Sequence, residues 1–452
     1  MGERKIVNCD ITRLTNGPKH HLFGFHDLVI SNSSDTKYLC LEVDVINRPP
    51  LPGEQFGVGY VEDGFFRRIG ETTALNYPQG ARQQWVADTE FFTVNNRVGN
   101  VWGTDLYDSS SNQLVDSFMS PTHMLSGDGR YSYGLDYARL FRLGRYGYSG
   151  LPDTSEQEPI PASSGITVMD LHSGNSELLV SVKKVAECGI KGAVPVYGHH
   201  YITHLCLNPS STRIAFLHRY PTADGGEMSR LMTISVDGSD IRCLATGFLS
   251  HYHWKDDSTL YIFGRINSAV ESIRNLPLMN IPIVRSSVEV GKKIIHAFIG
   301  KGRSLVASSN SFIIISDKES STPLPFAKDI IPVDGHPMTC PVDNDICSLD
   351  TYPSADGYRD LFLYDFRNNL RMDLGRFKML NERPDQTLKD EYFEGVDPLI
   401  VQSITEESLS FTRSGLHCDL HPRWNYKGTK VAFDSIHEGT RQVYLADVKG
   451  LF

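Results

Sequence analysis

A β-hairpin that recurs along the chain is the feature that most limits how this sequence can fold. Each clear copy begins at a histidine, continues as an apolar strand, turns at Asp, Asn, Ser or Gly, and returns as a second apolar strand. The copies are HLCLNPSSTRIAFLHR from His204, HYHWKDDSTLYIFGR from His251, HPMTCPVDNDICSLD from His336 and HPRWNYKGTKVAFD from His421. Trp254 and Trp424 both lie three residues after their histidine, which supports the alignment. Repeats of this length predict an array of small sheets packed side by side.

Three weaker copies begin near His26, Trp85 and His123, which brings the number of units to seven. Seven hairpin units in 452 residues predict an all-β fold, a seven-bladed β-propeller with WD40/TolB-like repeats that occupies residues 1–452 as one domain. We expect the N-terminal KIVNCDITRL and the tail from Arg441 to complete the last blade and close the ring. A further strand pair around 294–316 would make an eighth blade, and 149–165 has the composition of an insertion loop.

Charge and hydropathy exclude several classes of protein. Lys and Arg number 44 against 54 Asp and Glu, a net charge of −10, which argues against a nucleic-acid partner. No apolar run approaches the roughly 20 residues of a transmembrane segment, and the N-terminus has no apolar signal core. The eight cysteines include no CxxC pair and are expected to be reduced thiols. These features together predict a cytoplasmic protein.

The hairpin geometry indicates where polar side chains should meet. A hairpin returns the chain to its starting edge, so the residue that ends the second strand should lie beside the histidine that opens the first. The expected pairs are His204 with Arg219, His251 with Arg265, His336 with Asp350 and His421 with Asp434. If the first strand is innermost, these side chains converge at one mouth of the central channel, as a polar binding site requires. Histidines that only join blades by hydrogen bonds are the alternative.

Several segments resemble the β-propeller polysaccharide lyases, which include the oligogalacturonate lyase group and the ulvan-lyase-like propellers. The segments are GFHD at 24–27, SPTHMLSGDGR at 120–130, THLCLNPSSTRIAFLHRY at 203–220, SHYHW at 250–254, DGHP with DTYP at 334–353, and CDLHPRWNYKGTKVAFDSIHEGTRQVYLADV at 418–448. The resemblance implies cleavage of a uronate-containing oligosaccharide by β-elimination, with a bound divalent metal. That reaction removes a weakly acidic proton α to a carboxylate. It therefore needs a cation that stabilises the enolate-like charge and a base of near-neutral pKa that takes the proton. It also needs an acid that protonates the departing glycosidic oxygen.

The resemblance also implies roles for individual residues. Arg219 matches the arginine that neutralises the carboxylate, and a guanidinium can clamp a carboxylate with two parallel hydrogen bonds. His204 matches the base, His123 is a second acid or base, and Tyr201 or Tyr197 would donate the proton. The convergent Arg265, Asp350 and Asp434 would contact substrate.

The metal ligands are expected to be His251, His336 and His421, one from each of three blades. Imidazole suits Mn or Zn. Alternative candidate ligands are His200, His253, His417, Cys340 and His437.

Other functions stay open at this point. YGHH at 197–200 and the 149–165 insertion have no clear counterpart in those lyases. A non-catalytic propeller that binds glycan or protein in a polysaccharide-related system would use the same mouth. A glycoside hydrolase on the same scaffold is a third reading. The sequence does not indicate the sugar, the linkage or the oligomeric state.

Overall fold

A computed structural model of the chain describes residues 2–189, 194, 196–222, 225–266, 310–318, 321–380 and 413–452. These residues form strands and two short helices, α1 (Tyr137–Arg142) and α2 (Val182–Glu187). The strands, in chain order, are β1 (Glu3–Ile6), β2 (Ile11–Arg13), β3 (His20–Leu22), β4 (Lys37–Val43), β5 (Phe56–Glu62), β6 (Phe65–Thr72), β7 (Gln84–Trp85), β8 (Phe91–Val98), β9 (Val101–Asp108), β10 (Gln113–Phe118), β11 (Met124–Leu125), β12 (Tyr131–Leu135), β13 (Gly165–Asp170), β14 (Ser176–Ser181), β15 (Tyr201–Leu207), β16 (Arg213–Pro221), β17 (Glu227–Ser235), β18 (Arg242–Asp256), β19 (Thr259–Ile266), β20 (Ser311–Ser316), β21 (Leu324–Phe326), β22 (Met338–Cys340), β23 (Asp343–Asp350), β24 (Tyr358–Asp365), β25 (Leu370–Lys378), β26 (Arg423–Trp424), β27 (Lys430–Ser435) and β28 (Gln442–Asp447).

In the described parts of the chain the strands form seven four-stranded antiparallel blades. The first three blades are β3–β6, β7–β10 and β11–β14, and the last two are β22–β25 and β26–β28 with β2. Between them, β15–β18 and β18–β21 form the fourth and fifth blades in one continuous sheet. Six of the seven predicted repeat starts lie in the first strand of a blade or within two residues before it, and His26 follows β3 of the first blade. The predicted all-β propeller is confirmed. β20 is the third strand of the fifth blade, and 294–309 of the predicted extra strand pair lies outside the described residues.

The long strand β18 belongs to two blades. Its first part, Arg242–Gly247, pairs with β17 as the outer strand of the fourth blade. The part from Gly247 to Asp256 pairs with β19 as the inner strand of the fifth blade. The chain passes from the fourth blade to the fifth at Gly247, which pairs with both β17 and β19, and the register against β19 shifts between Leu249 and Tyr252. His251 therefore enters the channel from a continuous strand that a second blade also holds.

The N-terminal residues join the last two blades. β2 is the outer strand of the seventh blade and pairs antiparallel with β28, with Ile11 opposite Ala446. β1 adds in parallel to β25 of the sixth blade, with Arg4 opposite Arg371. The tail strand β28 is therefore the third strand of its blade, and the N-terminal strand lies outside it.

Three tryptophans join neighbouring blades in the same way. Trp85, Trp254 and Trp424 follow the channel segment of their own blade and are buried. Each indole N–H donates to a carbonyl on the inner strand of the preceding blade. The acceptors and distances are Ile30 at 3.1 Å, Cys206 at 2.9 Å and Met338 at 3.0 Å. The recurrence of Trp in the repeats thus reflects a hydrogen bond between blades.

Asparagines build the turns of three of the inner hairpins. The Oδ1 of Asn208 accepts hydrogen bonds from the backbone N–H groups of Thr212 at 2.8 Å and Arg213 at 2.9 Å. The Oδ1 atoms of Asn32 and Asn425 accept the same pair of hydrogen bonds from the backbone N–H groups four and five residues later in the chain. Side-chain bonds of this kind stabilise a tight turn locally. Because the turns lie at one end of the inner hairpins, the histidines that open them lie at the other.

A long connection between β12 and β13 extends over the third blade and includes the 149–165 segment. Asp136 caps α1 by accepting a hydrogen bond from the backbone of Arg139 at 2.9 Å. Arg139 is itself buried, and it donates to the carbonyl of His200 at 2.9 Å and pairs with Asp153 at 3.4 Å. These bonds tie the connection to the segment that leads into β15.

The eight cysteines are free thiols, as the sequence predicted. In the described ranges, no helix has the length and apolar character needed to cross a membrane.

Candidate active site

Imidazoles from five blades meet around the ring of Phe25. Their rings surround Phe25, with centroid distances of 4.2 Å to His26, 5.1 Å to His204, 6.5 Å to His251, 6.3 Å to His336 and 5.0 Å to His421. The ring of His336 lies 4.2 Å from that of His251 and 4.3 Å from that of His421. The structure therefore brings together the four histidines that open the clear repeats.

A cluster with the chemistry of a metal site lies inside this group. In the described part of the chain, the ligand atoms of His336, Asp419 and His421 lie within 4.8 Å of one another, and all three residues are buried. The Oδ2 of Asp419 is 4.0 Å from Nε2 of His336 and 3.8 Å from Nε2 of His421. Two imidazoles and a carboxylate suit Zn, Mn or a similar divalent ion. Two of the three predicted ligands, His336 and His421, belong to this cluster with Asp419, and the ring of His251 lies beside it.

Both histidines of the cluster are oriented by a bond from the other ring nitrogen. Nδ1 of His336 donates to Oδ1 of Asp350 at 2.8 Å, and Nδ1 of His421 donates to the carbonyl of Gly24 at 2.9 Å. Metal-binding histidines are held in this way, because the bond fixes the tautomer and leaves Nε2 for the ion. Gly24 has a φ of 130°, and a Cβ there would lie 2.6 Å from the backbone of Gln79, so the GFHD segment needs this glycine.

The predicted substrate contact at Asp350 is corrected by these bonds. Besides His336, Asp350 accepts a hydrogen bond from the backbone N–H of His421 at 3.1 Å through Oδ2. Its side chain is fully buried, and both oxygens hold the segments that carry the cluster. Asp350 is therefore a positioning residue for the two histidines.

The charge of the cluster is set by its neighbours. Burial disfavours the ionised carboxylate of Asp419, yet Arg359 and His417 hold its pKa well below the usual range. Arg359 lies 2.6 Å from Oδ1, and Nε2 of His417 donates to Oδ2 at 2.9 Å. For His336, burial opposes protonation, but the carboxylates of Asp350 and Asp419 raise its pKa above the ordinary value. The carboxylate of the cluster is therefore ionised, and with no cation present it favours the protonated form of His336, whose proton a divalent ion would have to displace.

His251 stands beside the cluster with a carboxylate partner of its own. Its Nδ1 donates to Oδ1 of Asp334 at 3.1 Å. His251 is not a member of the cluster of His336, Asp419 and His421. A histidine with Nδ1–H on a carboxylate keeps Nε2 as a proton acceptor, and the carboxylate stabilises the imidazolium that forms. His251 and Asp334 thus form an Asp–His pair beside the cluster.

His204 and Arg219 lie on paired strands, but not directly opposite one another. Arg219 lies opposite Tyr201, and β15 has a bulge between Thr203 and Cys206, where His204 has a φ of 58°. Burial, with smaller contributions from Arg219 and His251, lowers the pKa of His204 well below its ordinary value. Its Nδ1 is hydrogen-bonded to Thr203 Oγ1 at 2.9 Å. The predicted edge pairing is thus shifted along the strand, and His204 is a neutral imidazole.

A carboxylate on β17 holds the predicted arginine and tyrosine together. Nη1 of Arg219 lies 3.5 Å from Oε1 of Glu227, and Nη2 donates to the carbonyl of Leu249 at 3.3 Å. The hydroxyl of Tyr201 donates to Oε2 of Glu227 at 2.6 Å, and burial raises its pKa. As placed, Tyr201 directs its proton to Glu227 and not to the channel.

Other predicted contacts lie elsewhere. His123 is buried, with Nδ1 hydrogen-bonded to the hydroxyl of Tyr137 at 2.8 Å. Arg265 lies opposite Phe248, so the predicted pairing with His251 is shifted along β18. Asp434 is fully buried between Arg423 and Arg441, which engage both of its oxygens. Its predicted contact with substrate is replaced by a buried ion-pair cluster.

Sequence reasoning missed Asp419, Asp334 and Glu227. Asp419 had a detectable signal, because residues two apart in an extended segment face the same way and Asp419 precedes His421 by two in CDLHP. Asp334 likewise precedes His336 by two in DGHP. Glu227 has no such signal, since its partners come from distant segments of the chain.

Comparisons with known proteins agree with the fold. The sequence matches no protein-family model and no curated protein. Among solved structures, an oligogalacturonate lyase from Vibrio parahaemolyticus is similar, with a TM-score of 0.54 and 13% identity over 98% of this chain and 95% of that chain. An oligogalacturonate lyase in complex with manganese has a TM-score of 0.53 and 13% identity over 100% and 99% of the two chains. At this identity the likeness establishes a β-propeller of the same architecture.

Proposed function

We propose that this protein is a lyase that cleaves a uronate-containing oligosaccharide by metal-assisted β-elimination. The observation that carries the proposal is the cluster of His336, Asp419 and His421 beside an Asp–His pair and a partly buried arginine at one channel mouth. Two structural neighbours are named as oligogalacturonate lyases, and one of them is in complex with manganese. The donor set found here suits manganese or zinc.

The metal would be held by His336, Asp419 and His421. When bound, it would act as a Lewis acid that draws charge from the carboxylate of the uronate. The arrangement around the cluster supports this role, because Asp350 and Gly24 already direct both Nε2 atoms towards Asp419. Little rearrangement of the ligands is needed to accept an ion.

Proton abstraction is assigned to His251. The proton at C5 lies α to the carboxylate and becomes more acidic once that carboxylate is neutralised. Nε2 of His251 would accept it, while Asp334 stabilises the resulting imidazolium. The family resemblance instead implies His204 as the general base. Its depressed pKa makes it a weaker base, because a general base works best with a pKa near the operating pH.

Arg219 is assigned to the substrate carboxylate. Its Nε–H is buried and has no acceptor among the described residues, and Glu227 lies at only one end of the guanidinium. A guanidinium with spare donors can bind a carboxylate in the bidentate manner. The proposed partner is the carboxylate of the sugar that loses its proton.

The departing oxygen needs a proton, and Tyr352 is placed to supply it. Its ring lies 5.6 Å from that of His336 and 6.0 Å from that of His251. Burial, together with Asp419 and Asp334, raises the pKa of its hydroxyl, so the group keeps its proton until the oxygen leaves. Tyr201, the predicted donor, is already engaged with Glu227.

The test is an activity screen with oligogalacturonates and other uronate oligosaccharides in the presence of Mn²⁺ or Zn²⁺. We expect ultraviolet absorbance from the unsaturated product, abolished by a chelator and absent with neutral oligosaccharides of equal length. New reducing ends without that absorbance would indicate hydrolysis and overturn the proposal. Calorimetric binding of uronates without any cleavage would indicate a binding protein.

A further inference from the structure

A cavity of about 450 Å³ lies at the end of the inner hairpins where their turns are. Residues at or beside the turns of four blades line it, namely Ser31, Pro209, Pro341 and Tyr426. The lining also includes His253 and Met338, which follow the imidazoles of His251 and His336 by two residues. Two residues of extended chain span roughly 7 Å. The cavity is therefore displaced along the inner strands from the imidazoles around Phe25.

The walls of this cavity are largely apolar. The apolar lining includes one large side chain from each of five blades, namely Trp85, Met124, Leu207, Trp254 and Met338. Thioethers and indoles make favourable contacts with flat aromatic rings. The volume also lies within the range of about 300 to 1,000 Å³ that is usual for sites of small organic ligands. The cavity thus has the size and the surface for an aromatic molecule.

The polar side chains at the inner end of the cavity already have partners. Both carboxylate oxygens of Asp27 accept hydrogen bonds from Arg82, at 2.8 and 3.1 Å. Gln84 donates to the carbonyls of Arg82 and His123, and its Oε1 accepts the backbone N–H of Leu125 at 2.9 Å. A charged ligand would therefore find no free counter-ion in these groups, which favours a neutral ligand.

His253 differs from these residues, because one of its ring nitrogens is available. Its side chain is partly exposed, and Nδ1 donates to the carbonyl of Trp254 at 2.9 Å. Since a carbonyl can only accept, Nδ1 carries the proton and Nε2 is an acceptor. Among the residues that the structure describes, none donates a hydrogen bond to Nε2. Burial lowers the pKa of His253, so the ring is neutral at pH 7.

We propose that this cavity is a second ligand site, for a neutral aromatic molecule that carries one hydroxyl. The hydroxyl donates to Nε2 of His253, and the aromatic ring packs among the methionine and tryptophan side chains. A sugar would leave most of its hydroxyls without partners on these apolar walls, and a carboxylate has no proton to donate. The inference goes beyond the proposed reaction and does not depend on it, because no residue of the candidate metal cluster lines the cavity.

The test uses 2-naphthol and its methyl ether, which share the same two rings and differ in the hydroxyl proton. Calorimetric titration of the full chain should show that the naphthol binds about fivefold to a hundredfold more tightly, because the ether leaves Nε2 without a donor. In His253→Phe, the two probes should bind with equal affinity. His253→Gln, whose amide oxygen can accept a hydrogen bond, should recover part of the preference.

Two further variants complete the test. His172→Phe is the matched control, because His172 is exposed in the turn that follows β13, and it should leave both affinities unchanged. Leu125→Trp places a larger ring in the lining of the cavity and should abolish binding of both probes. Circular dichroism verifies the fold of each variant. The proposal would be overturned by a failure of both probes to bind, by equal affinities in the unaltered protein, or by a preference that survives His253→Phe. Binding that survives Leu125→Trp would also overturn it.

Discussion

Asp350 and His336 form a fully buried pair, in which Nδ1 of the imidazole donates to the carboxylate at 2.8 Å. The same carboxylate also accepts the backbone N–H of His421 from the next blade. One side chain therefore fixes both imidazoles of the candidate metal centre. The arrangement of the site depends on bonds between blades as much as on the ligands themselves.

Asp350→Asn should weaken metal binding by roughly tenfold to a hundredfold, as is typical when the partner of a ligating histidine is removed. An amide accepts a weaker hydrogen bond and does not stabilise the same ring orientation. Calorimetric titration with Mn²⁺ and Zn²⁺ measures the change. Asp356→Asn is the matched control, since that exposed carboxylate pairs only with Arg376 and Ser354 among the described residues. Equal affinities in the two variants would exclude the positioning role.

His336→Ala and His251→Ala should separate metal binding from proton transfer. The first removes a proposed ligand and should abolish stoichiometric metal. The second removes a proposed base, so metal should stay bound while turnover is lost. Elemental analysis of both purified variants, with circular dichroism to verify the fold, checks the expectation. Loss of metal from His251→Ala would return that residue to the ligand set.

Arg219→Gln should reduce kcat/KM by about a hundredfold to a thousandfold, the usual effect of removing a preorganised group that stabilises charge. The amide keeps much of the packing but carries no charge. Steady-state kinetics on a uronate oligosaccharide give the value. Arg130→Gln serves as the control, because the exposed side chain of Arg130 pairs with Asp170 on the protein surface. Normal activity in Arg219→Gln would remove the residue from the mechanism.

Asp434→Asn should destabilise the protein by about 3–5 kcal/mol, as when one partner of a buried ion pair is removed. The substitution leaves Arg423 and Arg441 buried without their counter-ion. Urea unfolding followed by tryptophan fluorescence measures the difference in the free energy of unfolding. A loss below 1 kcal/mol, similar to that of Asp356→Asn, would contradict the prediction.

Stability should decrease as the pH falls below about 6.5, the pKa of an unperturbed histidine. Burial, with smaller contributions from Arg230 and His200, holds the pKa of His218 well below that value. In acid the unfolded chain therefore binds a proton that folded His218 rejects, and unfolding becomes more favourable. His218→Gln should flatten the dependence of the unfolding free energy between pH 6.5 and pH 5. An unchanged slope would show that His218 does not contribute.

The overall fold could be predicted because its signals are local. Asn208 and Asn425 define turns within a few residues, and Trp254 and Trp424 recur at a fixed distance from their histidines. Each hairpin can therefore be predicted from its own residues, without knowledge of the rest of the chain. No such signal predicts that β18 belongs to both the fourth and the fifth blade. A strand that passes from one blade to the next has the same alternation of side chains as a strand that stays in one blade.

The candidate site was predicted less completely, for reasons of register and distance. The convergence of the histidines follows from the repeat, but the register of the hairpin and a one-residue bulge at His204 together place Arg219 opposite Tyr201. The alternation of apolar residues does not reveal such a bulge, because a bulge inserts a single residue and leaves the apolar pattern on either side intact. Arg145 and Glu227 lie 82 residues apart, and only the tertiary structure places them together.

The last blade depends on contacts between distant parts of the chain. Its outer strand is β2, and beside it the hydroxyl of Thr15 donates to Oε1 of Gln442 across 427 residues of sequence. Contacts of such high contact order form slowly, because the ordering entropy of the intervening chain must be overcome first. Asp419 and His421 belong to this blade. The three side chains of the candidate metal cluster are therefore expected to come together late in folding, after the N-terminal strand has joined the last blade.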